Sequence, residues 1–350
     1  MDERLSLSVD DLELRMSPEG DPESPVLVIA LDAWRGASAE RIARMADAVA
    51  STLRITVGVL ESEPTPEMAP LVQALTLTLS AGRAGVDRAL IHCGDLAASL
   101  DLLGAAVAGN PQASVALARL LRQTVTPDVE AGLAAEAATY SMLLGGKEFA
   151  RWRAERPVRP VVVSERSPVR VERGDSVLTV VLDNPGRRNA LSQRMRESLL
   201  EALQLAVLDP SIAHVELRGS GPVFCSGGDL DEFGIATDLV AAYLVRLERA
   251  PWRIIDRMRD RVTAHVHGAC IGAGIEMTAF AGRVVAEPDT YFLLPEIGMG
   301  LVPGAGGTVS VPRRIGRWRA AWMMLTGQSM DAEQALRWGL IDDIGRSRRG

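Results

Sequence analysis

Three phrases in the second half of the chain decide its fold: VFCSGGDLDEF at 223–233, HGACIGAGIEM at 267–277 and LLPEIGMGLVPGAGGT at 293–308. Each combines apolar text with small residues, which let the backbone approach a ligand closely. The second and third phrases also carry one glutamate each, Glu276 and Glu296. Two carboxyl groups that face one substrate can hold a water, remove its proton and deliver a proton to a neighbouring carbon. Glu276 and Glu296 are therefore candidates for such a pair.

In this order and spacing, the three phrases resemble the catalytic core of the enoyl-CoA hydratase/isomerase (crotonase) superfamily over most of residues 174–345. The resemblance implies an α/β fold, a crotonase-like spiral of ββα repeats, and an acyl-CoA thioester as substrate. It also implies that the N–H groups of Gly228 and Ala273 hold the thioester oxygen, because preorganised N–H donors stabilise developing negative charge. The family more often has glycine at the second position, and alanine excludes the dihedral angles that only glycine adopts.

Glu276 and Glu296 match the carboxylates that hydratases of this family use, which implies a hydro-lyase that adds water in syn geometry to a 2-enoyl-CoA. A Δ3–Δ2 isomerase is the nearest alternative, since isomerases of the family often manage with one carboxylate. A cofactor-free arylacetyl-CoA dioxygenase and a non-catalytic scaffold or modulator are further alternatives. A glutamate pair can also cap a helix or bind an arginine, although the apolar text around both residues is a poor setting for solvated carboxylates.

The phrase NPGRRNALS at 184–192 resembles the loop with which this family grips coenzyme A. The resemblance assigns Arg187 and Arg188 to phosphate oxygens, which suit the planar fork of guanidinium donors. The alternative for both arginines is a solvated turn. The other expected CoA contacts, mostly through the main chain, are those of Ala190, Ser226, Gly227 and Leu230.

A Pro- and Arg-rich segment at 156–173, without helical period, indicates a domain boundary. A chain of 350 residues also suits two domains, here predicted as 1–160 and 161–350. PVLVIALD at 25–32 is echoed by SVLTVVLD at 176–183, and in both halves a helix and a second β-rich run follow. The first half is therefore predicted to be a βαβ-plus-helices domain, a truncated crotonase-like unit without catalytic motifs.

Four helices are predicted after the β-rich part of the first half, at 95–108, 110–122, 128–144 and up to 155, with Asn110 as an N-cap and Pro111 at the first helical position. Crotonase cores usually carry closing helices after a phrase like RWGLIDDIG at 337–345, and none is expected before Gly350. Residues 86–160 are expected to supply them, and the resemblance places Trp152 and Arg156 near the CoA ribose phosphate. An ordinary appendage for oligomer contacts is the alternative.

The composition argues against several functional classes. A net charge of −7 disfavours a general nucleic-acid binder. No apolar run approaches the length of a membrane span and the N-terminus is acidic, so a cytoplasmic protein without membrane contact is expected. Three cysteines without a CxxC pair argue against a disulfide framework and against structural zinc.

No metal or redox cofactor is expected beyond the coenzyme A of the substrate. His265 and His267 alternate along a strand-like phrase but have no third ligand, so packing is the favoured interpretation. Cys225 has no assigned base and is not expected to act as a nucleophile. Lys147 is the only lysine, which disfavours Schiff-base chemistry. The family resemblance implies a homotrimer or a hexamer.

Overall fold

A computed structural model describes residues 9–82, 85–125, 128–157 and 166–345. The predicted domain boundary between residues 160 and 161 lies outside these described ranges. None of the helices within them is long and apolar enough to cross a membrane.

The first half contains a parallel four-stranded sheet that follows a short helix and a pair of short antiparallel strands. Up to residue 92 the elements are α1 (Val9–Leu12), β1 (Arg15–Met16), β2 (Pro22–Glu23), β3 (Val26–Ala30), α2 (Ala39–Ser51), β4 (Ile55–Leu60), α3 (Ala69–Ala74), β5 (Leu77–Ser80) and β6 (Leu90–His92). The parallel sheet has the order β3-β4-β5-β6. The amphipathic helix α2 follows β3 and buries Ile42, Met45 and Val49, whose three- and four-residue spacing puts them on one face. This confirms the predicted βαβ plan.

The four helices predicted after this sheet are present as α4 (Leu96–Gly109), α5 (Pro111–Gln123), α6 (Val129–Leu144) and α7 (Lys147–Ala154). Asn110 occupies the N-cap position of α5, but its side chain forms no cap hydrogen bond. The buried carboxylate of Glu148 accepts hydrogen bonds from the N–H groups of Gln112 and Ala113 instead, at 2.8 and 2.9 Å. A residue on α7 therefore caps α5.

The second half is built on one large and one small β-sheet. Its elements are β7 (Val169–Arg173), β8 (Val177–Leu182), α8 (Gln193–Leu208), β9 (His214–Gly219), α9 (Leu239–Glu248), α10 (Pro251–Arg257), β10 (Val262–Val266), β11 (Ala269–Ile271), α11 (Ala273–Thr278), β12 (Arg283–Ala286), β13 (Tyr291–Leu293), α12 (Gly307–Ile315), α13 (Arg317–Thr326), β14 (Met330–Asp331), α14 (Ala332–Trp338) and β15 (Asp343–Ile344). The large sheet has six strands in the order β15-β12-β10-β9-β8-β7, and the small sheet has the order β11-β13-β14. A strand of the large sheet, a strand of the small sheet and a helix follow one another twice, as β10-β11-α11 and β12-β13-α12. This topology confirms the predicted spiral of ββα repeats.

Helices α4 to α7 pack against the second half, chiefly against α9, α12 and α13. One continuous apolar core contains buried residues of both halves, among them Leu117, Leu133 and Phe149 from the first. Polar contacts cross the same junction: Asn110 Nδ2 donates to the carbonyl oxygen of Ile297 at 2.8 Å. The helices of the first half thus cover part of the second half's core.

Candidate active site

The two proposed N–H donors lie where two turns meet. Backbone hydrogen bonds from Leu191 N to Gly227 O and from Asp229 N to Leu191 O fix the chain on both sides of Gly228. Ala273 is the first residue of α11, so its N–H has no partner within the helix. Within the described ranges neither the Gly228 nor the Ala273 N–H donates a hydrogen bond. Both groups are therefore free to bind an oxygen atom of a ligand.

The backbone geometry accounts for the residue types at this turn. The left-handed conformation falls on Gly272, with a φ of +49°, and not on Ala273. Alanine therefore starts α11 without strain, which removes the concern that the sequence raises about this position. At Gly228 a Cβ would lie 2.6 Å from Cε1 of Phe233, so this aromatic ring can pack against the turn only because the residue is glycine.

Glu276 lies on α11, and Glu296 begins the 3-10 helix Glu296–Met299. Their side chains are buried, with exposed fractions of 2% and 8%. Glu276 Oε2 accepts hydrogen bonds from the N–H groups of Ala305 at 2.7 Å and Gly307 at 3.0 Å. Glu296 Oε2 has no hydrogen-bond partner in the described part of the protein. One glutamate is thus fixed by the backbone, and the other keeps an acceptor available.

These groups share a cavity of about 170 Å³. Gly228, Ala273, Glu276 and Glu296 all line it. Tyr140 and Leu144 line it as well, and both lie on α6 of the first half. From the second half, Leu191, Phe233, Arg246 and Trp252 are among the other residues that line it. The cavity is therefore formed by both halves of the chain.

Burial changes the protonation of the two carboxyl groups. Removal from water, together with the nearby charge of Glu136, raises the pKa of Glu296 to about 8. Burial also raises the pKa of Glu276 well above its ordinary value, with further contributions from Glu296 and Glu136, while the two N–H donors act in the opposite direction. At neutral pH the cluster consequently keeps protons, which provides the site with a general acid.

Sequence reasoning missed several residues at or beside this cavity, among them the polar residues Glu136, Tyr140 and Arg246. Arg246 on α9 lies with its guanidinium carbon 3.9 Å from the ring centroid of Tyr140, and its Nη1 donates to the carbonyl oxygen of Gly304 at 3.2 Å. Glu136 is 2% exposed although it lies on a helix. The sequence offers one signal for this burial: Glu136 is the single charged residue in the stretch LAAEAATY. Because the exposed face of a surface helix usually carries several charges, a stretch with only one charged residue indicates a buried helix.

The predicted CoA loop adopts a tight turn next to the cavity. Arg187 forms ion pairs with Asp229 at 2.7 Å and Asp231 at 2.5 Å, and these partners raise its pKa. Arg188 is exposed, and its side chain has no ion-pair partner in the described ranges. Its carbonyl oxygen accepts a hydrogen bond from Ser226 N at 3.1 Å.

The remaining predicted CoA contacts surround this turn, and they stay predictions. Ala190 and Gly227 are buried, while Leu230 is exposed. The structure thus brings the arginine turn and the Ser226–Gly228 turn together at one edge of the cavity.

Trp152 and Arg156 lie together at the end of α7. The guanidinium carbon of Arg156 lies 4.4 Å from the ring centroid of Trp152. The indole is buried, and its centroid lies 6.2 Å from that of Phe233, whose ring packs on Gly228. Trp152 therefore reaches the site through one intervening ring, while Arg156 remains exposed.

The other polar candidates fit a packing role. Burial raises the pKa of Cys225 to about 12, so its thiol stays protonated. His267 Nε2 lies 3.0 Å from the carbonyl oxygen of Gly221. Within the described ranges, no group of three or more metal-ligating side chains occurs.

Comparisons with known proteins point to one family. The sequence profile described as "Enoyl-CoA hydratase/isomerase" matches residues 172–347. Over 174 residues the chain is 36% identical to the 2,3-dehydroadipyl-CoA hydratase of Escherichia coli (strain K12), which covers 50% of this chain and 68% of that protein. It is 33% identical over 177 residues to the enoyl-CoA isomerase/hydratase fer4 of Mycosarcoma maydis, covering 48% of this chain and 65% of the relative.

Among solved structures, an enoyl-CoA hydratase from Thermoplasma volcanium GSS1 aligns with a TM-score of 0.47 and 28% identity, over 52% of this chain and 73% of that one. The chain thus spans about two thirds of the length of the curated relatives named above. Residues 1–171 lie outside the matched family profile.

Proposed function

The chain belongs to the enoyl-CoA hydratase/isomerase family, and on this premise we propose that it adds water to the 2,3 double bond of a 2-enoyl-CoA. The observation that carries the proposal is the pair of buried carboxyl groups, Glu276 and Glu296, in one cavity with two unpaired N–H donors. Acyl-CoA thioesters react at the α and β carbons when the carbonyl oxygen can take on negative charge, and the N–H groups of Gly228 and Ala273 supply that stabilisation.

Hydration proceeds in this proposal with the water held between the two carboxyl groups. The ionised carboxyl group takes one proton of the water while the water oxygen bonds to the β carbon. The electron pair of the double bond moves toward the thioester, and the N–H donors bind the resulting enolate oxygen. The α carbon then takes a proton from the protonated carboxyl, on the same face. The product is a 3-hydroxyacyl-CoA, and the site ends with the same number of protons.

Each glutamate contributes one oxygen to this arrangement. Glu276 is held through Oε2 by Ala305 and Gly307, which leaves Oε1 for the water. Glu296 Oε2 lacks a partner in the described part of the protein and can take the second position. Because burial favours the protonated forms, one carboxyl group remains an acid near neutral pH.

A product analysis tests this function against the nearest alternatives. The purified protein is incubated separately with a 2-enoyl-CoA, a 3-enoyl-CoA and an arylacetyl-CoA, and the products are identified by mass spectrometry. Hydration adds the mass of one water to the 2-enoyl-CoA. Conversion of the 3-enoyl-CoA at constant mass, without hydration of any 2-enoyl-CoA, would assign the site to isomerisation. Oxygen uptake with the arylacetyl-CoA would assign it to oxygenation.

The grip on coenzyme A belongs to the same proposal. Arg188 is the better candidate for a phosphate contact, because Arg187 already pairs with two carboxylates. The exposed Arg156, stacked on Trp152, is the second candidate for a phosphate contact. The homotrimer or hexamer that the family resemblance implies is proposed as the assembly.

A further inference from the structure

A single loop connects the proposed active site with the first half of the chain. Four consecutive N–H groups, from residue 305 to residue 308, alternate between two glutamates. Those of Ala305 and Gly307 donate to Glu276 Oε2 at 2.7 and 3.0 Å. Those of Gly306 and Thr308 donate to Oε1 and Oε2 of Glu136 at 2.7 and 2.8 Å, and the Thr308 hydroxyl adds a third bond at 2.7 Å.

The loop leads into α12, so the N–H groups of Gly307 and Thr308 lie in the first turn of a nine-residue helix, at its positive end. A carboxylate on one side of the loop restrains the N–H groups on the other side, because all of them belong to one stretch of backbone. Glu136 thus fixes the donors that fix Glu276. Removal of either carboxylate leaves buried N–H groups without an acceptor.

The sequence of α6 places Glu136 at this point. Gly132, Glu136 and Tyr140 are spaced by four residues, so they lie on one face of the helix. Gly132 packs against Val309 of α12, where an added Cβ would lie 3.0 Å from Cγ2 of that valine. Tyr140 packs against Gly304, where an added Cβ would lie 2.3 Å from the ring. The two close contacts on either side hold Glu136 against the loop.

On the basis of the hydratase function proposed above, we propose that Glu136, supplied by the first half of the chain, is a positioning residue of the active site. It holds the 304–308 loop, and through that loop it orients the carboxyl group of Glu276 toward the substrate. The first half therefore takes part in the function of the site as well as covering it. Glu136 itself does not line the cavity that holds Glu276 and Glu296.

Glu136 also acts on the site through its charge. Burial raises its pKa to about 7, against the effect of its three hydrogen bonds and of Arg246. Its negative charge in turn raises the pKa of Glu276 and of Glu296. The other titratable or charged groups that face it are Tyr140 on the same helix, Arg246 on α9 and Arg253 on α10, the last of which is paired with Glu130 at 2.8 Å.

The test compares Glu136→Gln in the full-length protein with a matched control, Glu148→Gln. Both wild-type side chains are buried carboxylates of the first half that accept backbone N–H groups at a helix start. Only Glu136 acts on the loop that holds Glu276. We expect Glu136→Gln to lower kcat roughly ten- to hundred-fold with little change in KM, because a displaced catalytic group costs that much. The control is expected to retain kcat.

The pH profile separates positioning from simple loss of stability. With the charge of Glu136 gone, Glu276 and Glu296 ionise more easily, so the acid limb of kcat/KM should move to lower pH in Glu136→Gln and stay in place in Glu148→Gln. A folded Glu136→Gln with unchanged kcat and an unmoved limb would overturn the proposal. Equal effects of both variants would do the same.

Two further measurements cover the remaining outcomes. If Glu136→Gln does not fold, a comparison of Thr308→Val with Thr308→Ser tests the positioning role of Glu136. Serine keeps the hydroxyl group that donates to Glu136, and valine removes it. The valine variant should lose kcat about tenfold relative to the serine variant, and equal rates would overturn the proposal. An infrared titration of the protonated carboxyl band in the ligand-free protein requires no turnover. A lower apparent pKa in Glu136→Gln would support the inference even if the protein proved not to be a hydratase, and an unchanged one would contradict it.

Discussion

Replacing Glu296 by glutamine is the sharpest perturbation of the proposed chemistry. The two side chains have the same shape, and Glu296 Oε2 has no hydrogen-bond partner in the described part of the protein, so the amide breaks no existing bond there. Glutamine can neither accept the proton of a water nor donate a proton as an acid. The fold and the binding of coenzyme A should therefore persist while turnover is lost.

The expected loss of turnover follows from the role of the group. Removal of a general acid or base lowers the rate by about a hundred- to ten-thousand-fold. Since each tenfold change in rate corresponds to about 1.4 kcal/mol, the transition state loses roughly 3–5 kcal/mol of stabilisation. Glu276→Gln should behave similarly, because its acceptor oxygen can keep the bonds from Ala305 and Gly307.

The same substitution changes how stability depends on pH. Burial raises the folded-state pKa of Glu296 to about 8, above the ordinary value of 4.5, so folding favours the protonated form. Its contribution to stability is complete below about pH 4.5 and is lost as the pH rises through about 8. The free energy of unfolding of the wild-type protein should thus fall more steeply between pH 5 and pH 9 than that of Glu296→Gln.

Steady-state kinetics with a 2-enoyl-CoA measure the loss of turnover. Urea unfolding at about pH 5 and about pH 9 measures the change in the free energy of unfolding. Glu148→Gln is the control for a buried glutamate outside the cavity. Full turnover by folded Glu296→Gln would remove this residue from the mechanism. A parallel loss of stability with pH in both proteins would refute the argument that burial holds the carboxyl group in its protonated form.

Three other predictions follow from the same geometry. Gly228→Pro deletes one N–H donor and should lower kcat about 100- to 1000-fold; unchanged kinetics in a folded variant would show that another group holds the thioester oxygen. Gly272→Ala places a Cβ 2.7 Å from Glu296 Oε1 at a φ of +49°, which displaces the Glu296 carboxyl group, so turnover should fall more than CoA binding. Kinetics equal to those of the wild-type protein would contradict the close approach of this turn to Glu296. Residues 164–350 alone should aggregate, because removing α4 to α7 exposes an apolar face, and residues 1–163 supplied separately should restore activity; a soluble, fully active fragment would make the first half an appendage.

Local sequence signals predict much of the fold. The repeated strand phrases at 25–32 and 176–183 contain β3 and β8, and the four helices from α4 to α7 lie within two residues of their predicted bounds. Glycines and apolar text around Glu276 and Glu296 likewise identify the turns of the site. In these segments neighbouring residues decide the conformation, so a single sequence carries the information.

The contacts that escaped prediction join residues distant in sequence. Glu136 meets its partner Thr308 across more than 170 positions, and no local pattern identifies such a partner. Asn110 occupies the N-cap position of α5 as predicted, yet the carboxylate of Glu148 on another helix accepts the cap hydrogen bonds. The ion pairs of Arg187 with Asp229 and Asp231 also join residues more than 40 positions apart, and its contact with phosphate stays a prediction. Tertiary contacts decide these cases, and they arise only when the helices pack.

A crystal structure of the protein with a bound 2-enoyl-CoA or an unreactive analogue tests the central claim most directly. The account predicts that the thioester oxygen lies within hydrogen-bond distance of the Gly228 and Ala273 N–H groups. The α and β carbons should lie beside Glu276 and Glu296, with Tyr140 of the first half against the acyl chain. A thioester bound away from both N–H groups, or an acyl chain that touches no residue of the first half, would contradict it.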